Sequence, residues 1–148
     1  MNKSSSWNEC ISQKYAINIS PDKAKAKSLI GTAEARIEFI TKIRLEESNA
    51  NFIFENYYSS MLEIMHAFIL LKGFKVENHI CLGYYLRDIL KKEELFRIFD
   101  DARYKRNSLV YYGQRMDFET AKNIIEKIKE LAIELENIIE KISFAPMR

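Results

Sequence analysis

The chain has little of what breaks helices and little of what builds metal or covalent sites. Four glycines and two prolines in 148 residues leave long uninterrupted stretches, which favours helices. The two cysteines, Cys10 and Cys81, lie far apart with no zinc-ligand spacing, so a reducing compartment is their simplest setting. The two histidines, His66 and His79, fall in different expected helices and are too few to argue for a metal site. Neither a metal nor a cofactor is expected. A glycine-rich phosphate loop and a nucleophile elbow are both missing. No run reaches the roughly 18 continuous apolar residues of a membrane span. Residues 1–18 do not join a basic region to an apolar run, so a secretory signal is not expected and a cytoplasmic location is. A strong charge of either sign is absent too: at +2 the chain neither demands nor excludes a nucleic-acid partner.

What is present is a set of helical periods. With 47% hydrophobic and 30% charged residues, the composition indicates one soluble domain large enough to fold without staples. Residues 1–19 show no sustained period and are expected to form a tail, either mobile or docked through Trp7. Residues 20–143 are expected to form the helical domain, and residues 144–148 a second tail, with Pro146 ending the order. Ser20 as N-cap and Pro21 as first helical residue announce a helix whose inner face is Ala26, Ile30, Ala33, Ile37 and Ile40. A second helix, about Phe52 to Lys72 and stopped by Gly73, is apolar on most sides and is expected to be the central one. A short third helix begins near His79, where a capping role is expected for that residue, while His66 reads as a core or interface histidine. A fourth runs from about Lys92 to Val110. The last starts at Asp117 and keeps its three-four rhythm through Ala121, Ile125, Ile128, Ala132, Leu135, Ile139 and Ile142. Without any strand-period segment or repeat, the expected class is all-α, an antiparallel bundle of four to five helices.

The informative stretch is Arg106-Asn107-Ser108-Leu109-Val110-Tyr111-Tyr112-Gly113. Arg106 continues the stripe Leu95, Phe99, Ala102 at a spacing of four, so a cation points with the apolar face and needs a partner or an interface. Its planar fork of donors suits phosphate or carboxylate. Asn107 and the two phenols can hydrogen-bond, and Gly113 can take the left-handed conformation that ends a helix.

This segment resembles the signature of the HEPN (higher eukaryotes and prokaryotes nucleotide-binding) domains, R-x-x-x-x-H, often with Asn directly after the Arg. Arg106-Asn107-Ser108-Leu109-Val110 follows that pattern, and Tyr111 stands where the His belongs. The resemblance spans about Asp22 to Ile142. It includes the helix from Tyr57-Tyr58 to Gly73 and the Asn78-His79 start of the third helix. It implies a HEPN-like bundle and a homodimer whose two motifs face one another across a cleft. It also implies an RNA or nucleotide ligand and, as in many members, metal-independent endoribonuclease activity in a toxin paired with a nucleotidyltransferase antitoxin. By the same resemblance, Arg106 and Asn107 position phosphate, and Arg106, Asn107 and Tyr111 are the candidate catalytic set. A phenol with an ordinary pKa of about 10 is a poor base at neutral pH, and losing a His from acid–base catalysis commonly removes a factor of roughly 10² to 10⁴. Some members carry an adenylate-accepting Tyr two residues past the His; Gly113 stands there instead.

Three readings follow. In the first, a dimer binds RNA or nucleotide through Arg106, Asn107, Tyr111 and Tyr112 with weak or absent cleavage, aromatic faces stacking bases and Arg holding phosphate. In the second, the protein is a working ribonuclease in which Tyr111, His66 or His79 replaces the missing His. In the third, it is a structural or adaptor dimer whose Arg106 pairs with a carboxylate such as Asp100 or Asp101.

Overall fold

The computed structural model describes residues 4–143. Its elements in chain order are α1 (Trp7–Ser12), β1 (Ala16–Asn18), α2 (Lys23–Thr41), α3 (Ala50–Leu71), β2 (Phe74–Val76), α4 (His79–Asp88), α5 (Glu93–Tyr112) and α6 (Phe118–Ser143). The expected tail at residues 144–148 lies outside the described residues, as does the side chain of Ile142.

Helix α3 is the centre. It packs against α2, α4, α5, α6 and β2, and thirteen of its residues are buried, including Phe54, Tyr58, Met61, Ile64 and Met65. An apolar surface on nearly all sides leaves such a helix no stable place but the middle. Around it α2 buries Ala26, Ala33 and Ile40, and α6 buries the long row from Ala121 to Ile139. The small residues of α2 let it lie close on α3, while the larger isoleucines and leucines of α6 fill another side of it.

The caps explain where the helices begin. The Asp117 carboxylate accepts from the Thr120 backbone N–H at 2.8 Å, and the Asn78 side chain accepts from Ile80 at 3.2 Å. The start of α2 is corrected from Ser20-Pro21 to Asp22, whose carboxylate accepts from Lys25 N–H at 2.9 Å. The backbone just before it is still extended, because Ile19 N–H donates to Gly73 O at 2.9 Å.

That bond continues the feature least expected from a chain without strand periods. β1 and β2 pair antiparallel, with Ala16 opposite Val76, Ile17 opposite Lys75 and Asn18 opposite Phe74. Each strand is three residues long, too short to display an alternation. Gly73, at φ +86, makes the turn from α3 into β2. A Cβ on Gly73 would stand 3.2 Å from Ile19 O.

The amino-terminal segment is docked. Trp7 is 2% exposed and meets Phe74 and Tyr85 edge-on at centroid distances of 5.2 and 4.9 Å. Its backbone N–H donates to Asp88 at 2.8 Å, and Arg87 donates to Ser5 O at 2.8 Å. Cys10 and Cys81 form a disulfide that joins α1 to α4. The expectation of two reduced cysteines is thereby corrected, and the compartment inferred from them loses its support. Pairing could not be read from spacing because 71 residues separate the partners and the fold alone brings them together. No described helix is long and apolar enough to cross a membrane.

Candidate functional site around Arg106

The site is built where the last turns of α5 lie against α3 and the start of α4. Leu95, Phe99 and Ala102 are buried along α5, and this anchorage directs Arg106, one turn further on, toward the same side. Arg106 is half-buried. Its guanidinium carbon lies 5.6 Å from the Tyr58 ring centroid and 5.9 Å from that of Tyr111, within the range of cation–π attraction. Gly113 closes the helix in the left-handed conformation at φ +62. Its backbone N–H and that of Gln114 both donate to Ser108 O. The turn beyond is clamped to α3 by Asn51, which accepts from Met116 N–H and donates to Met116 O, each at 3.0 Å. The motif therefore sits on a fixed frame.

The carboxylates nearest in sequence are committed elsewhere. Asp100 accepts from Arg103 at 2.9 Å, and Asp101 accepts from Lys105 at 2.6 Å. Among the described residues no carboxylate pairs with Arg106, so its donors are available to an outside anion. The ion-paired partner expected for a purely structural Arg106 is not found at Asp100 or Asp101.

Beneath the guanidinium lie three groups held neutral. Tyr58, 1% exposed, has its phenol pKa pushed up to about 12, chiefly by burial, although Arg106 and Arg103 pull against that shift. The Tyr58 hydroxyl is 3.3 Å from His79 Nδ1. Burial, followed by the charges of Arg106 and Arg103, holds His79 below its ordinary value. Behind it, His66 meets His79 edge-on at 6.5 Å and is lowered to about 4 by burial, then by His79 and Lys25. When Tyr58 donates to Nδ1, the imidazole of His79 carries its proton on Nε2; when the imidazole donates, Nε2 is a free base. Either way an uncharged imidazole and an uncharged phenol stand beside a fixed cation. That arrangement can bind an anion without an internal carboxylate competing, and it can exchange a proton.

Of the residues singled out in the sequence, Arg106 and Tyr111 meet. Asn107 is half-buried beside them, with no hydrogen bond to its carboxamide among the described residues. Tyr112 stands 81% exposed and Tyr111 68%. With Tyr104, 70% exposed, they line one side of α5, because residues seven or eight apart return to the same face. Two members of the cluster were not foreseen. Arg103 could have been, since it precedes Arg106 by three and so shares its face. Tyr58 read only as a core aromatic. His79 is corrected from a cap to a site neighbour: Asn78 does the capping, which leaves the imidazole at the first helical position to turn toward Tyr58. Among the described residues no group of His, Cys, Asp and Glu is arranged to hold a metal ion.

No protein-family model matches the chain, and neither a curated protein nor a solved structure matches it.

Proposed function

We propose that the Arg106 end of α5 recognises the phosphate of a single-stranded RNA or nucleotide. As the HEPN resemblance implies, two copies of the chain would bring their motif helices together around the ligand. The observation that carries this reading is the half-buried guanidinium between Tyr58 and Tyr111 with no carboxylate of its own, while Asp100 and Asp101 hold other cations. A buried-facing cation is tolerated when an anion completes it. The exposed Tyr104, Tyr111 and Tyr112 add faces on which bases or a second copy can stack. Asn107 is assigned to the backbone of the same ligand. A nucleotidyltransferase antitoxin is the partner that the resemblance brings with it, and an adjacent gene for one is the expected setting.

A second reading, active metal-independent cleavage, is favoured by one observation: His79 lies beside the site with its neutral form stabilised. A neutral imidazole can accept the 2′-hydroxyl proton that a phenol at position 111 handles poorly. Arg106 would then stabilise charge on the phosphorane.

One experiment separates the outcomes. Labelled single-stranded RNA is incubated with the purified protein in EDTA, beside Arg106→Ala and His79→Ala. Binding is expected to weaken about 10- to 100-fold in Arg106→Ala, the value of one charge-assisted contact. Cleavage leaving 2′,3′-cyclic phosphate ends, absent from both variants, establishes the nuclease. Binding without cleavage leaves recognition as the function, and Arg106-independent binding contradicts the assignment.

A further inference from the structure

A groove of about 420 Å³ opens between α2, α3 and β2, and His66 forms part of its wall. Lys25 reaches it from the first turn of α2, Arg36 from further along that helix and Lys75 from β2, while Leu29 and Phe74 supply an apolar side. Three cations thus face one carboxylate, Glu63, which is ion-paired with Arg36. Lys25 and Lys75 are exposed and make no ion pair among the described residues. The nearby Asp22 carboxylate is engaged in capping α2 through the Lys25 backbone N–H.

The groove shares a wall with the Arg106 site. The ring of His66 lies 6.5 Å from that of His79, which lies 6.2 Å from that of Tyr58, the ring under the Arg106 guanidinium. The histidines on this shared wall have their charged forms disfavoured, so they add no cationic barrier or competing charge between the two sites. An apolar side flanked by unpaired lysines matches the two chemistries of a nucleotide, a flat base and an anionic phosphate.

We propose that this groove is a second subsite for the same strand. It takes a nucleotide further along the strand, beyond the reach of a dinucleotide held at Arg106, with its base on the side made by Leu29 and Phe74 and its phosphate between Lys25 and Lys75. This rests on the RNA reading of the Arg106 site, and the test keeps the two apart. A labelled dinucleotide and an oligouridylate of about eight nucleotides, long enough to leave the first site, are titrated into wild type, Arg106→Ala and the double variant Lys25→Gln/Lys75→Gln. Both lysines are exposed, and the thermal midpoint checks that the double variant is folded.

The double variant is expected to bind the longer strand at least tenfold more weakly, to bind the dinucleotide as wild type does, and to lower the salt slope for the longer strand by about 1.4, the loss of two single-strand phosphate contacts. If Arg106→Ala abolishes binding while the lysine variant binds the longer strand with unchanged affinity and slope, the groove is not a subsite, although the Arg106 reading survives. Equal weakening toward both lengths also overturns the proposal, because it signals general electrostatic attraction. If wild type binds neither length, both readings fall.

Discussion

Arg106 shows how a single side chain carries functional information that its neighbours lack. Among the described residues nine other cations are in ion pairs with acidic residues of the chain, Arg103 and Lys105 among them, whereas Arg106 lies against two aromatic rings. Its orientation was legible in the sequence, because four-residue spacing from Ala102 fixes the side of the helix. Its surroundings were not. Tyr58 and His79 come from other elements, and periodicity is blind to which buried tyrosine ends up beneath a given cation. His66 yields a pH prediction at the same scale. Its pKa falls from 6.5 to about 4 on folding, so the unfolded chain binds the proton more readily and acid favours unfolding. The stability involved is fully present above pH 6.5 and is lost as the pH falls toward 4, by up to about 3 kcal/mol. Burial also lowers the pKa of His79, and it adds loss of the same sign. Urea unfolding followed from pH 7.5 to about 4 should show this decline, and His66→Gln should flatten it. An unchanged slope in the variant would show that His66 is not held neutral by the fold.

At the scale of elements, the long helices were legible and their junctions less so. The three-four rhythm located α3 and α6 because each buries a continuous row against the core. Asp117 was a decisive signal because its side chain satisfies an orphan N–H group, whereas Asn78, which does the same for α4, was passed over for His79. The strands escaped notice because three residues cannot display a period, and their register is imposed by the chain docking across β2. Gly83 was equally silent. It is buried in α4, and a Cβ there would lie 2.6 and 2.8 Å from two atoms of the Phe99 ring and 3.1 Å from Phe96. The close approach of α4 to α5, which sets His79 beside Arg106, therefore depends on a missing side chain. Gly83→Ala should destabilise the protein by about 1–3 kcal/mol from overpacking, outweighing the gain of roughly 1 kcal/mol in helix propensity. Denaturant midpoints give the comparison, and a more stable variant would mean that α5 can retreat without penalty.

For the whole molecule, the disulfide between Cys10 and Cys81 links the amino-terminal helix α1 to α4 across a sequence separation of 71 residues. Together with Trp7 in its aromatic slot, it turns what read as a tail into part of the core. Sequence reasoning left docking open because a lone Trp and a six-residue helix carry no periodic signal. Closing so long a loop restricts the unfolded chain, so Cys10→Ser/Cys81→Ser should lower stability by about 2–4 kcal/mol. Unfolding in the presence and absence of reductant should give the same difference for wild type. Equal stability with and without reductant would mean that packing alone holds α1 in place.

The most direct measurement is the salt dependence of single-stranded RNA affinity in wild type and in Arg106→Met, which keeps an apolar stem over Tyr58 while removing the charge. The predicted result is weaker binding in the variant, with a log–log salt slope shallower by about 0.7, the loss of one single-strand phosphate contact. Identical affinity and slope in the two proteins would contradict phosphate recognition by Arg106.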